Sequence, residues 1–378
     1  MKKVLLVNLD HGKQSFHVNF VPLGLLKLST YYKNKNYEIY YTSCRRKTTI
    51  KPDIICFSPV FLFNLKKDLQ FILSIRNKFP EAFIRIGGIS ASLKPEIFKK
   101  IEGNIEVITG LQDYLDDLAP DFNIARTTDC YGFTSRGCKN NCKWCVVPKI
   151  EGKIRIANNW ELSLDSNKRL FMALDNNLLA CGPDHVDNVL KKVKEKNLKI
   201  DVNQAMDCVL FAKNEDYARI FKKYNNFYKI RFAWDSKRQD KYIDKTIELL
   251  NKHKISGTRN WYCLYGFKDE PEIYYNRIKH LMIRKQSIKP MRYRDIDSGH
   301  YKIGWGGFYD KFTEWCNSFS VRGVMGGTSN LKNLGNNFKE FCDIIDLLNV
   351  MKQTKVHKQG TTLIDSDFEK ILKAIRKK

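Results

Sequence analysis

The sequence predicts an α/β chain. An N-terminal doubly wound, flavodoxin-like parallel-sheet domain spans residues 1–125, an open (β/α)6 barrel spans 126–297, and a C-terminal helical extension spans 298–378. Three observations predict this. Short apolar runs alternate with helical periodicity through the first 125 residues, the pattern of a parallel sheet covered on both faces. Strand-like runs then recur at intervals of about 30 residues, the length of one strand–helix unit. Three cysteines follow the first of those later runs, where a barrel of this kind places its chemistry.

In the first part the expected strands cover residues 3–8, 38–42, 53–58, 83–87 and 106–109. A helix over 23–33 follows Pro22, a common first-turn residue. A second, over 64–78, is expected to be capped by Asn64 and stopped by Pro80. Ligands of such sheets sit beyond the carboxyl ends of the strands, here Asn8, Asp10, Ser58, Pro59, Gly87, Gly88 and Gly110.

In the second part the expected strands cover 131–135, 169–175, 199–204, 229–235, 260–266 and 290–295. The segments between them read as helical. Asp184 is expected to cap a helix whose Val186, Val189, Leu190 and Val193 share a face. Ile243, Ile247 and Leu250 mark another before Ser256 and Gly257, and residues 272–285 form a third after Pro271. Beyond about residue 296 glycine-rich pieces precede a helix near 338–351 and a basic amphipathic tail at 368–378.

Composition narrows the setting. No run of about 18 apolar residues is present, so no membrane span is expected. The apolar stretch near Met1 is four residues long and leads into Asp10, which reads as a first strand rather than a signal peptide. Eleven cysteines without secretory features argue for a reducing compartment, and the cytoplasm is the expected location. Lys and Arg number 66 against 41 Asp and Glu, a net charge of +25 that favours anionic partners, nucleic acid first among them. The competing reading is lysine usage on solvated helix faces, as at 191–196.

The cysteine segment reads Arg136-Gly137-Cys138-Lys139-Asn140-Asn141-Cys142-Lys143-Trp144-Cys145. Three thiolates within eight residues of loop make a metal site, one ligand short of a closed tetrahedral site or a fully ligated cubane. An iron–sulfur cluster held this way keeps one iron open. The alternatives are a structural zinc site with Cys130 or a distant His as fourth ligand, and buried thiols without a role. The polar neighbours Lys139, Asn140, Asn141 and Lys143 speak against the second. The other eight cysteines are scattered and read as structural.

The C-x3-C-x2-C spacing with Trp144 before the last cysteine, set within residues 134–152, resembles the signature of the radical S-adenosylmethionine (radical SAM) superfamily. Pro22-Leu23-Gly24-Leu25-Leu26, the run from Pro52 to Ser58, and Ile86-Gly87-Gly88 are similar to the subgroup with an N-terminal cobalamin-binding-type domain. The cysteine loop is also similar to that of methylthiotransferases that modify tRNA and a ribosomal protein. The resemblance implies that Cys138, Cys142 and Cys145 bind three irons of a 4Fe–4S cluster. The fourth iron would then take the amino and carboxylate groups of S-adenosylmethionine. Reduction, by a donor such as a flavodoxin or ferredoxin, would yield a 5′-deoxyadenosyl radical that abstracts hydrogen from an unactivated carbon. It further implies Trp144 near the adenine, Asp175, Asn176 and Asn177 at the methionine amine, and Gln204 and Asp235 at the carboxylate or ribose. Tyr265 and Gly266 fall where adenine packs. The plain alternative for these is ordinary strand-end polar and turn residues. Asp297, His300 and Tyr301 follow the sixth expected strand and are candidate acid–base or radical-relay groups.

The chain departs from these patterns in two places. The Asp-x-His-x-x-Gly cobalamin motif is absent and residues 42–52 are short and basic, so a trimmed domain that keeps the fold with or without cobalamin is expected. The second cluster of the methylthiotransferases needs three N-terminal cysteines. Only Cys44, Cys56 and Cys130 lie near there, at the wrong spacing. The substrate expected from the charge is nucleic acid or a nucleotide-bearing molecule. A peptide or protein substrate, and a nonenzymatic zinc-stabilised nucleic-acid-binding protein, are the competing readings.

Overall fold

The computed structural model describes residues 1–11, 21–267 and 271–297. The expected features of 298–378, with His300 and Tyr301, lie outside the described residues.

The first sheet is built from β1 (Lys3–Asn8), β2 (Glu38–Ser43), β3 (Ile54–Phe57), β4 (Phe83–Ile86) and β5 (Ile105–Val107). All pairings are parallel and the order is β2-β1-β3-β4-β5, one of the two common doubly wound orders. Alternation along each strand divides its side chains between two cores. Leu5, Val7, Ile55, Phe57, Ile84 and Ile86 face the helix Leu65–Lys78 through Ile72 and Ile75. Val4, Leu6 and Cys56 pack with Leu25, Leu26 and Tyr32 of the helix Leu23–Lys33. The edge strand β2 is only partly buried, and a turn rather than a helix joins it to β3. Asn64 makes no side-chain cap. It ends a short 3₁₀ turn, Leu62–Asn64, and the helix starts one residue later.

The second sheet holds β6 (Cys130–Gly132), β9 (Leu170–Ala173), β10 (Lys199–Val202), β12 (Phe227–Ala233), β13 (Thr258–Tyr265) and β14 (Ser287–Arg292), in chain order and all parallel. Between them, β7 (Ser135–Arg136) and β8 (Arg155–Ile156) form a separate antiparallel ribbon, and β11 (Met206–Asp207) adds to the end of β12. The expected strand 131–135 therefore ends at Gly132, because Thr134 and Ser135 are drawn sideways onto the Asp175 carboxylate. The crossover from β6 to β9 carries only the short helix Val147–Ile150 and the 3₁₀ turn Trp160–Ser163, where a full helical crossover was expected. Later crossovers are helical: Pro183–Glu195, Asp216–Tyr224, Ile243–Lys252 and Pro271–Ile283. Val186, Val189, Leu190 and Val193 are all buried, as their spacing predicts. Asp184 does not cap their helix. Gly182 is the N-cap at φ 91°, Pro183 opens the first turn, and Asp184 lies inside that turn, where its charge suits the helix dipole.

One apolar cluster runs from Val4, Leu6 and the helix Leu23–Lys33 through Phe122 and Tyr131 into the second sheet and its helices. Polar contacts reinforce the junction. Tyr131 Oη donates to the Val21 carbonyl at 2.7 Å. Asp116 accepts from Lys27 Nζ at 3.3 Å and takes Arg136 in a two-pronged pair, Nε at 3.0 Å and Nη2 at 2.7 Å. Among the described residues no helix is long and apolar enough to cross a membrane.

Candidate metal centre

Because every strand of the second sheet is parallel, all the strand ends meet at one carboxyl edge, and the cysteine loop follows the first of them. Gly137 opens the loop at φ +75°, and a Cβ there would run into the carbonyl of Lys153, so both conformation and space require glycine. Glu151 closes the loop. One of its oxygens accepts from the Gly137 N–H at 2.8 Å and from Asn176 Nδ2 at 2.9 Å, and the other faces Arg136 Nη1 at 3.5 Å. Within the loop the Cys145 N–H donates to the Cys142 carbonyl at 3.0 Å, and the Asn140 N–H donates to Cys138 Sγ at 3.4 Å.

The loop is tied to the strand ends from two sides. Asn140 Nδ2 donates to Asp207 at 2.9 Å, and Arg238 donates to the same oxygen at 3.0 Å. The other oxygen of Asp207 caps the helix Cys208–Lys213 through the Val209 N–H at 3.0 Å. Trp144 in turn meets Phe267 edge-on at 5.4 Å, and Phe267 meets Tyr293 at 4.7 Å.

Burial pushes the Cys142 thiol up to about 11, helped by Cys145, Cys138 and Asp235 and opposed by Arg238. Burial also raises Cys145, with Cys138, Asp235 and Glu151 adding to it and the Val147 N–H opposing. The three thiols thus stand within electrostatic reach of one another. Among the described residues no three Cys, His, Asp or Glu side chains converge on the position of a single metal ion. By donor chemistry alone, three thiols on one loop suit an iron–sulfur cluster, one thiolate to each of three irons.

The remaining predicted residues fall as follows. Asp175 is 1% exposed and its carboxylate already accepts from the Thr134 N–H (3.2 Å), Thr134 Oγ1 (2.7 Å) and Ser135 Oγ (2.6 Å). Asn176 is held on Glu151. Asn177 accepts from the Asp207 N–H at 3.4 Å, and its buried Nδ2 has no acceptor among the described residues. Gln204 is exposed at the end of β10. Asp235 accepts from the Leu264 N–H at 2.9 Å while its charge reaches Cys142 and Cys145. Tyr265 is 1% exposed and packs on Tyr274, so its ring lies in the core; Gly266 follows at φ +76°. Asp297 is exposed in a turn, donating its N–H to Asp295 at 3.1 Å. Of these, Asp235 stands within electrostatic reach of Cys142 and Cys145, Asn176 joins the loop through Glu151, Asn177 joins Asn140 through Asp207, and Asp175 links the ends of β6 and β9. Sequence reasoning missed Glu151, Asp207 and Arg238. Only Glu151 carried a signal, its place beside Gly152 at the end of the motif.

No protein-family model matches the chain. The chain is similar to the ribosomal protein uS12 methylthiotransferase RimO of Clostridium botulinum (strain Eklund 17B / Type B), with 34% identity over 85 residues, 21% of this chain and 19% of that protein. It spans about a fifth of the length of that relative.

Proposed function

We propose that the chain is a radical SAM enzyme. Its first sheet is read as a cobalamin-binding-like, flavodoxin-like domain (1–125), its second as an open (β/α)6 barrel (126–297), and residues 298–378 as a C-terminal extension. Cys138, Cys142 and Cys145 would hold three irons of a 4Fe–4S cluster, leaving the fourth for the amino and carboxylate groups of S-adenosylmethionine. One observation carries the reading. The C-x3-C-x2-C loop stands over the carboxyl edge of six parallel strands in chain order, joined to them through Asn140 and Asp207 and through Trp144 and Phe267. The partial similarity to a methylthiotransferase supports it.

When bound, the cluster would supply the electron for reductive cleavage of S-adenosylmethionine, with a flavodoxin or ferredoxin as donor. The protein's part is placement. Glu151 fixes the loop entrance, and Asp207 couples Asn140 to Arg238. The buried amide of Asn177, without an acceptor among the described residues, is a donor for the cosubstrate. Trp144, Phe267 and Tyr293 form an aromatic wall that keeps water from the reacting carbon. The net charge of +25 favours a nucleic-acid or nucleotide substrate.

The test is anaerobic purification and reconstitution with iron and sulfide, followed by reduction in the presence of S-adenosylmethionine. About four irons and four sulfides per chain, lost in Cys138→Ala, Cys142→Ala and Cys145→Ala, with release of 5′-deoxyadenosine, are expected. Zinc without iron, or no 5′-deoxyadenosine from the loaded protein, overturns the reading. Cobalt analysis of the same preparation decides whether the first sheet carries cobalamin. The similarity to the uS12 enzyme favours a second reading, methylthio transfer. That reading calls for a second cluster and about eight irons, yet Cys56 and Cys130, two of the three thiols nearest the N-terminal part, are buried in the apolar core.

A further inference from the structure

At the carboxyl edge of the first sheet three side chains meet that the proposed function does not use. His11 follows β1, Cys44 follows β2, and Asp68 lies in the first turn of the helix that follows β3. His11 Nε2 lies 2.7 Å from Asp68 Oδ1, and His11 Nδ1 lies 3.7 Å from Cys44 Sγ. The Asp68 side chain is 2% exposed and that of His11 13%, while Cys44 is half-buried. In the order β2-β1-β3 the edge beyond β1 is the switch point, where doubly wound sheets bind their ligands.

We propose that Cys44, His11 and Asp68 form a nucleophilic thiol site, with His11 as base toward Cys44 and Asp68 as its orienting carboxylate, that takes a small disulfide as substrate. The hydrogen bonding fixes the roles. A carboxylate at Nε2 places the imidazole proton there, which leaves Nδ1 as the acceptor facing the thiol. Attack on sulfur passes through no oxyanion, so it asks of the protein only a base and an acid. Cys44 Sγ forms a bond to one sulfur of the disulfide as its proton passes to His11 Nδ1. The S–S bond breaks, and the departing sulfur takes that proton from His11. Cys44 ends oxidised as a mixed disulfide, and one equivalent of thiol is released.

The surroundings explain why a base is needed. Burial and the Asp10 carboxylate raise the Cys44 thiol, with Asp68 adding to this and Arg45 opposing, so the free thiolate is scarce at neutral pH. Burial also lifts Asp68 to about 6, against the hydrogen bond and charge of His11. Arg45 is itself engaged with Asp10, at 2.9 Å to its carbonyl and 3.2 Å to its carboxylate.

The test follows one peptide. Cleavage after Lys35 and Arg45 releases residues 36–45, whose one cysteine is Cys44. The full, cluster-loaded chain is treated anaerobically with 4,4′-dithiodipyridine between pH 5 and 10, and mixed disulfide on that peptide is timed by mass spectrometry. At pH 7, Cys44 in the folded chain should react at least about tenfold faster than in the urea-unfolded chain, in line with general-base assistance. Between pH 7 and 10 its rate should rise less steeply than that of the unfolded chain, whose thiol reacts as the free thiolate. His11→Gln should lower the rate about tenfold or more and restore the steeper rise, with Asp68→Asn between. Reaction no faster in the folded than in the unfolded chain overturns the proposal. So does a rate or profile that His11→Gln leaves unchanged. Neither readout depends on cleavage of S-adenosylmethionine, so the two proposals stand or fall separately.

Discussion

The carboxylate of Glu151 meets the Gly137 N–H, the Asn176 amide and the Arg136 guanidinium, and so gathers the loop entrance, the end of β9 and the junction onto one side chain. Glu151→Ala should cost about 1–3 kcal/mol, since it strands partly buried donors. Chemical denaturation reads that loss, and iron analysis should show lower cluster occupancy in protein that still folds. Arg136 retains Asp116 in that variant, which is why folding survives. Gly137→Ala is harsher. It asks for a Cβ at φ +75° against the Lys153 carbonyl, which the backbone answers only by moving. A loss above about 2 kcal/mol and no cluster loading are expected, read by thermal melting and the absorption spectrum.

Among the elements, β10 and β12 carry a buried ion pair across the second sheet, Asp201 with Arg231, and Arg231 also donates to the Val202 carbonyl at 3.1 Å. Arg231→Met strands the carboxylate and should cost about 3–5 kcal/mol, whereas Arg231→Met with Asp201→Leu should recover most of it. A double-mutant cycle by urea denaturation measures the difference. How far such elements could be read in advance depended on how local their causes are. β1 is visible because Val4, Leu5, Leu6 and Val7 are a buried apolar run, and the helix Leu23–Lys33 because Pro22 precedes it. The cysteine loop is visible because its three cysteines lie within eight residues of one another. The end of β6 was misplaced because Asp175, which pulls Ser135 out of the strand, lies 40 residues on. Asp207 was missed for the same reason, standing 67 residues from its partner Asn140. The Asp184 cap failed more simply: Gly182 holds the N-cap position and Pro183 opens the helix, so Asp184 falls inside the first turn.

At the scale of the molecule, Asp116 joins the first sheet's helix, through Lys27, to Arg136 beside the cysteine loop. Burial opposes its ionisation, but the hydrogen bonds and charges of Arg136 and Lys27 hold its carboxyl below the ordinary value. A depressed folded pKa stabilises the protein above the unfolded value of about 4, and the contribution is lost as pH falls through the folded one. Asp116→Asn should therefore cost about 3 kcal/mol at pH 7, where it leaves two buried cations short of a partner. It should also flatten the acid limb of a stability–pH curve measured by urea denaturation. Calorimetry of the intact protein should show one transition across both sheets, because Leu25, Leu26 and Tyr32 share a single apolar cluster with Tyr131 and Phe171. That shared cluster also limits how the chain can be recombined. The first sheet is not a cassette that a relative's lobe can replace at residue 126. Any exchange must carry the helix Leu23–Lys33 together with Tyr131, whose hydroxyl is fastened to Val21 on the far side of the cut.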